Sequence, residues 1–239
     1  KNRVLKNQKG DFDAMMIITD SMKKCLSWWI SHLHEQIRFL SHGNPDISVY
    51  CDASMKGWGG WIGTETVHLK EADGEWSWTE KSLHINQLEI IAVLFTLKSL
   101  CGNHVNQHIR VFSDNTTAVD YINNMGGVRS PECNDLAGQV WAWCQERNIW
   151  ISMAHIKGVD NVYADMLSRK IHDEAKEWSL NESRFRKIYN LWGPFNIDLF
   201  ASRLNNKVDV FASWKPDPRS EEHTSELQSL TNLVFRHKD

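Results

Sequence analysis

Four acidic residues occupy positions from which they could bind a divalent cation. Glu89 lies inside the apolar segment "HINQLEIIAVLFTLKSL", residues 84–100. A carboxylate buried there without a partner is strongly destabilising. Asp52 and Asp114 each end a β-rich run, and Asp165 lies in "NVYADMLSR". If these carboxylates converge, their repulsion favours a hard cation, Mg²⁺ or Mn²⁺ rather than zinc. For Glu89 alone, the alternative is a solvent-exposed position on an amphipathic helix.

The pattern from Ile47 onward predicts the elements that would bring these acids together. Three β-rich runs, "ISVYCDAS", "GWGGWIG" and "TVHLKEADGEWSWTE", predict an antiparallel meander with an Asp-Gly turn at residues 73–74. The helix that holds Glu89 follows, and we expect it to end at Gly102 in a left-handed cap. The tryptophans of "WSW" and "WAW" are expected to be core and helix-packing residues rather than to stack on bases.

Strands and helices alternate in the second half, so the complete order is βββαβαβα. The later elements are the strand "HIRVFSD", a helix "NTTAVDYINNM", a helix over 133–147, the strand "IWISMAHI" and a helix that opens near Asn161. This order predicts an α/β fold with a mixed five-stranded sheet flanked by helices. If their strands are neighbours in this sheet, Asp52 and Asp114 would meet at its carboxyl edge, where the helix could present Glu89 to both.

Four segments resemble the catalytic segments of type 1 ribonuclease H, in the variant fused to retroelement reverse transcriptases. They are "VYCDAS", "NQLEIIA", "VFSDNTTAV" and "HIKGVDNVYADMLSR". The last is similar to the pattern of Ty3/gypsy-like and DIRS-like (tyrosine-recombinase) elements. The resemblance covers about residues 45–172 and implies the ribonuclease H-like fold. It also implies a metal-dependent endonuclease that cleaves the RNA strand of RNA/DNA hybrids during reverse transcription.

The resemblance assigns a role to each matching position. It implies that two Mg²⁺ or Mn²⁺ ions, about 3.5–4 Å apart, activate a water molecule and stabilise the leaving 3′ oxygen. The implied ligands are Asp52, Glu89, Asp114 and Asp165. His155 is implied to assist proton transfer or product release. The implied contacts to the minor groove and backbone of the hybrid are Asn86, Gln87, Asn115 and Thr116.

Two other functions fit parts of the sequence. A non-catalytic connector of the same fold would have no need for clustered carboxylates, and an integrase-like nuclease places its acids in a different order along the chain.

The charge of the chain predicts weak binding to nucleic acid. The net charge of the chain is −3, and the net charge of residues 45–170 is −5. Because only "GGVRSPE" joins the second and third long helices, there is no room for an additional basic helix. We therefore expect weak hybrid binding by residues 45–172 alone, with the reverse transcriptase of the same polyprotein supplying affinity.

The flanks predict further segments. We interpret residues 1–44 as the helical tail of an upstream reverse transcriptase, with helix over most of 12–40, and residues 45–172 as the ribonuclease H domain. Residues 173–218 resemble the start of a truncated, methyltransferase-like downstream domain, but no DPPY-like motif follows. Residues 219–229, "RSEEHTSELQS", match the translation of a sequencing-library adapter. We therefore interpret 219–239 as an artefactual or disordered tail.

Composition excludes several other classes. There is no apolar run of about 18 residues, and the start "KNRVLKNQKG" is unlike a secretory signal, so we expect an intracellular protein with no membrane partner. The chain has 5 cysteines and no CxxC motif, which argues against a disulfide framework or a zinc ribbon. His32 and His34 form the densest histidine pair but lack a third ligand nearby in the sequence.

Overall fold

The computed structural model describes residues 9–11, 13, 15, 17–35, 42–64, 67–170 and 179–220. The chain divides into two compact units, residues 1–43 and 44–239. In the first unit, helix α1 spans Asp20–His32 and a short 3₁₀ turn follows it. The helix therefore begins later than the predicted 12–40 segment, because the side chain of Thr19 caps the amide of Met22. The predicted helical residues 36–40 lie outside the described ranges.

A mixed five-stranded sheet organises the second unit. Its strand order is β3-β2-β1-β4-β5, and its strands span Ile47–Ala53 (β1), Gly57–Thr64 (β2), Val67–Glu75 (β3), His108–Ser113 (β4) and Trp150–His155 (β5). The first three strands pair antiparallel, whereas β1–β4 and β4–β5 pair parallel. The predicted α/β class, the antiparallel meander and the mixed five-stranded sheet are all confirmed.

Helices cover both faces of this sheet. They span Ile85–Cys101 (α2), Thr116–Asn123 (α3), Pro131–Glu146 (α4) and Val162–Arg169 (α5). A further helix, Glu182–Trp192 (α6), belongs to the segment that follows the sheet in the sequence. Helix α2 packs against β1, β2 and α4, and its apolar residues dominate the main core. Helix α5 packs against β1, β2 and β3, with Trp61, Ala164 and Leu167 in a separate small cluster. No helix within the described ranges is long and apolar enough to cross a bilayer.

Two local turn predictions are wrong. Asp73 and Gly74 lie inside β3, where they pair with Gly59 and Trp58, so the cross-strand ladder overrides the local turn signal. Gly102 does follow α2, but its φ of −55° is right-handed rather than left-handed. Neither difference moves the ends of β1 and β4, on which the position of the acidic residues depends.

The "WSW" prediction is half correct. Trp76 is buried in the core with 1% of its surface exposed, whereas Trp78 is 90% exposed. Strand β3 ends at Glu75, so these tryptophans lie in the connection to α2 and do not share a strand face. In "WAW", Trp143 is buried and the ring of Trp141 lies 5.2 Å from that of Trp150.

Residues 179–220 belong to the second unit and contact the end of β3 and helix α2 through a buried arginine. The side chain of Arg203 is only 6% exposed, and its Nη1 lies 2.8 Å from Glu80 Oε2. Its guanidinium also lies 4.8 Å from the ring centre of Phe95 on α2 and donates to the carbonyl of Glu75. Two short strands, Asp198–Leu199 (β6) and Phe211–Ala212 (β7), pair parallel in this segment.

Candidate active site

Three of the predicted acidic residues meet at the carboxyl edge of the sheet. Asp52 is near the end of β1, and Asp114 directly follows β4. The β1–β4 register pairs Tyr50 with Phe112, so both aspartates lie two residues beyond the same rung. Glu89 projects from the second turn of α2, and one carboxylate oxygen of each acid lies within 4.8 Å of the others. Among the described residues, this trio is the group identified as able to hold a metal ion.

Glu89 is the most deeply buried of the three. It is 4% exposed, and its Oε2 has no hydrogen-bond partner among the described atoms. Burial, together with repulsion from the carboxylates of Asp52 and Asp114, raises the pKa of Glu89 to about 9, although a hydrogen bond from the backbone amide of Ala53 acts in the opposite direction. Without a cation, Glu89 is therefore protonated at neutral pH. The alternative of an exposed, unpaired Glu89 is wrong, because apolar neighbours hold α2 against the sheet around it.

A serine on α5 fixes the carboxylate of Asp52. Ser168 donates its hydroxyl proton to Asp52 Oδ2 across 2.6 Å, and both residues are buried. Burial raises the pKa of Asp52 to about 6, and the carboxylates of Asp114 and Asp165 contribute to the rise. The hydrogen bond from Ser168 acts in the opposite direction because it stabilises the ionised form.

The end of β5 and the loop that follows it lie against Asp114. His155, at the end of β5, lies on the surface with its Nε2 3.1 Å from the carbonyl oxygen of Asp114. Gly158 begins a 3₁₀ turn, and a Cβ at that position would lie 3.0 Å from Asp114 Oδ2. The absence of a side chain at Gly158 thus lets the loop approach the carboxylate. The structure thus places His155 beside the backbone of Asp114, and its role in proton transfer or product release stays a prediction.

Asp165 lies on the adjacent helix α5 but outside the trio. Its Oδ1 accepts a hydrogen bond from Nε of Arg169 across 2.7 Å, and Nη2 of the same arginine lies 2.7 Å from this oxygen in a salt bridge. The charge of Asp165 nevertheless reaches the site, since it raises the pKa of Asp52. The structure therefore brings three of the four predicted ligands together and holds the fourth one helix turn from Ser168, paired with an arginine.

The residues predicted to contact nucleic acid line the same edge. Asn115 Nδ2 donates to Asn86 Oδ1 across 3.1 Å, which links the start of α3 to the start of α2. Gln87 completes a capping box with His84, and Asn115 caps α3 by accepting from the amide of Ala118. Thr116 is exposed at the first position of α3. Their role in binding nucleic acid stays a prediction.

Sequence reasoning missed the polar residues that support the site. Asn161 is 2% exposed, donates from Nδ2 to the carbonyl of Cys51 across 3.0 Å, and so ties α5 to β1. Ser54 donates to the carbonyl of Ser168 across 2.6 Å. The segment "NVYADMLSR" contains Asn161 and Ser168, but their partners Cys51 and Asp52 lie more than 100 positions away in the sequence.

The donor set suits hard divalent cations. All three clustered groups are carboxylates, no cysteine or histidine belongs to the trio, and Glu89 Oε2 has no other partner among the described atoms. Oxygen ligands of this kind favour Mg²⁺ or Mn²⁺ over zinc. A cation here would remove the repulsion that raises the pKa values of Asp52 and Glu89.

Comparison with known proteins gives similarities over about half of the chain. No protein-family model matches it. The chain is 29% identical over 143 residues to the enzymatic polyproteins of cauliflower mosaic virus, strains D/H and Strasbourg. These matches cover 56% of this chain but only 21% and 20% of the two polyproteins. The chain thus matches about a fifth of the length of these curated relatives.

Solved structures give likenesses of lower sequence identity. A ribonuclease H1 from the archaeon Halobacterium salinarum has 15% identity and a TM-score of 0.46, covering 54% of this chain and 98% of that one. LC11-RNase H1, solved in complex with an RNA/DNA hybrid, has 21% identity and a TM-score of 0.44, covering 54% and 99%. A foamy viral protease–reverse transcriptase in complex with double-stranded DNA has 14% identity and a TM-score of 0.37, covering 66% and 33%.

Proposed function

We propose that residues 45–172 are the ribonuclease H domain of a retroelement polyprotein and cleave the RNA strand of RNA/DNA hybrids. The observation that carries this proposal is the approach of Asp52, Glu89 and Asp114 to within 4.8 Å at the carboxyl edge of the sheet. The ordered sequence resemblance and the similarity to viral enzymatic polyproteins support the same assignment.

The buried position of Glu89 favours a nuclease over a non-catalytic connector. Burying a carboxylate beside two others destabilises the fold, because each ionised group repels the next and has lost its hydration. A connector gains nothing from this arrangement. A metal-dependent hydrolase needs it, since the same carboxylates then bind cations at the reacting phosphodiester.

The proposed chemistry is hydrolysis by two divalent ions, Mg²⁺ or Mn²⁺. When bound, the ions supply a water molecule of lowered pKa and stabilise charge on the leaving 3′ oxygen. Asp52, Glu89 and Asp114 would hold them, with Asp165 as the fourth ligand after release from Arg169. His155, on the surface beside Asp114, would exchange protons with solvent or with the departing product.

The proposed substrate follows from the surface around the carboxylates. Asn86 and Asn115, joined by their hydrogen bond, lie at the amino ends of α2 and α3, where amide groups can reach a sugar-phosphate backbone. Gln87 and Thr116 extend this polar surface on either side. An A-like hybrid presents 2′-hydroxyls in a wide minor groove, which polar side chains can read without a strongly basic surface.

We extend the proposal to the context of the chain. The element would be DIRS-like or Ty3/gypsy-like, and the partner would be the reverse transcriptase domain of the same intracellular polyprotein. Residues 1–44 would be the tail of that domain, and residues 173–218 the start of a methyltransferase-like segment. Residues 219–239 remain proposed as an artefactual or disordered tail, and 221–239 lie outside the described ranges.

The substrate class can be tested by incubating the full chain with four nucleic acids that share one base sequence. They are an RNA/DNA hybrid, double-stranded RNA, double-stranded DNA and single-stranded RNA, each with Mg²⁺ or with a chelator. We expect cleavage of the RNA strand of the hybrid alone, and none with the chelator. Asp52→Asn should abolish the cleavage. An intact hybrid, or equal cleavage of double-stranded DNA, would contradict the proposal.

A further inference from the structure

The hydroxyl of Ser168 lies between two acidic residues of the candidate site. Its Oγ is 2.6 Å from Asp52 Oδ2 on β1 and 2.9 Å from the carbonyl oxygen of Asp165 on its own helix. The residue is 1% exposed, so water does not compete for these contacts. A separation of 2.6 Å is typical of a hydroxyl that donates to an ionised carboxylate.

The backbone of Ser168 is itself held in place from the opposite side. Ser54 donates its hydroxyl proton to the Ser168 carbonyl across 2.6 Å, and Ser54 Oγ accepts from the amides of Lys56 and Gly57. Gly59 on β2 lets the helix approach, since a Cβ there would lie 2.6 Å from the Ser168 amide nitrogen. The turn between β1 and β2, together with Gly59, therefore fixes the position of the Ser168 backbone relative to Asp52.

We infer that Ser168 is a positioning residue for metal binding, which fixes the carboxylate plane of Asp52 and ties it to the helix that carries Asp165. This inference rests on the proposed function, because it concerns the cation held by Asp52, Glu89 and Asp114. The Ser168 hydroxyl links Asp52 on β1 to helix α5, which carries Asp165. A shift of α5 relative to β1 would therefore break this contact. A carboxylate with one oxygen fixed presents its other oxygen in one orientation and loses less rotational freedom when it binds a cation.

The expected effect is on cation affinity more than on the chemical step. Removal of a group that orients a metal ligand typically weakens metal binding by about 10- to 100-fold. We expect this loss for Ser168→Ala and also for Ser168→Cys, since the thiol fills the space of the hydroxyl but is a weak donor. At saturating Mg²⁺, cleavage by both variants should return toward that of the unmodified chain, because the hydroxyl does not touch the substrate.

A matched control is available on helix α2. Ser99 is 6% exposed, and its hydroxyl has no hydrogen-bond partner among the described atoms. Ser99→Ala therefore removes a buried serine hydroxyl of the same kind without touching a carboxylate. It should leave the dissociation constant for Mn²⁺ unchanged.

The test is Mn²⁺ binding to the full chain without substrate, measured by electron paramagnetic resonance, beside thermal unfolding of each variant. The inference predicts weaker binding by about 10-fold or more in Ser168→Ala and Ser168→Cys, with Ser99→Ala unchanged. Parent-like Mn²⁺ affinity in Ser168→Cys that melts at the parent temperature would overturn the inference and leave the proposed function standing. Mn²⁺ binding that Asp114→Asn does not reduce would overturn both.

Discussion

Replacement of Glu89 by glutamine should stabilise the metal-free protein at alkaline pH. In the native state, burial and the neighbouring carboxylates of Asp52 and Asp114 together raise the pKa of Glu89 to about 9. In the unfolded chain its value is about 4.5. The native state therefore holds one more proton than the unfolded state between these values. The contribution of Glu89 to the free energy of unfolding is therefore fully present at low pH and is lost as the pH rises toward about 9.

The size of the pH dependence follows from the one additional proton that the native state binds at Glu89. Each pH unit in this window lowers the free energy of unfolding by about 1.4 kcal/mol, so the loss from pH 6 to pH 8 is about 2.7 kcal/mol. Asp52, whose pKa rises only to about 6, loses most of its contribution below that range. Glu89→Gln keeps the shape of the side chain but releases no proton, so its stability should lack this pH dependence.

The assay is urea unfolding at pH 6, 7 and 8 with a chelator present. The parent and Glu89→Gln should be close in stability at pH 6, and the variant should be more stable at pH 8 by about 2–3 kcal/mol. Glu146→Gln, whose side chain is 73% exposed, is the control and should follow the parent. Equal pH slopes for the parent and Glu89→Gln would refute the reasoning.

Two further predictions concern the contacts that hold the site and its flank. Gly59→Ala places a Cβ 2.4 Å from Leu167 Cβ and should displace α5, which lowers both the melting temperature and Mn²⁺ affinity. Gly138→Ala, where a Cβ meets nothing within 4 Å, should instead stabilise α4 by about 1 kcal/mol. Arg203→Met should cost about 3–5 kcal/mol in urea unfolding, because it leaves Glu80 without its buried partner. The double variant with Glu80→Gln should recover part of that loss, and equal stability of Arg203→Met and the parent would contradict the role of this pair.

Local patterns predict the elements of this fold well. The apolar density around Glu89 indicates a buried helix, and the β-rich runs that end at Asp52 and Asp114 indicate strands of one sheet. Alternation of strands and helices implies parallel strands but not which of them are neighbours. These conclusions need only short-range periodicity and the general rule for parallel strands. The structure pairs β1 with β4, and this pairing brings the two aspartates to one edge.

Long-range contacts are the part that the sequence does not disclose. The bond from Ser168 to Asp52 spans 116 positions, and nothing in the spacing of "ADMLSR" indicates which carboxylate the serine meets. The i,i+4 pair of Asp165 with Arg169 is a local contact, but whether Asp165 joins the other acids depends on how α5 docks, and the structure places it outside the trio. The Asp-Gly pair at 73–74 was predicted as a turn, and cross-strand pairing with β2 makes it part of a strand.

Hybrid cleavage by the full chain with a single carboxylate neutralised tests the central claim most directly. Asp114→Asn removes one charge of the trio, whereas Asp120→Asn makes the same change at an exposed position on α3. With Mg²⁺ and an RNA/DNA hybrid labelled on the RNA strand, we predict cleavage by the parent and by Asp120→Asn. We predict none by Asp114→Asn. Cleavage by Asp114→Asn at the rate of Asp120→Asn, or an intact RNA strand with all three proteins, would contradict the account.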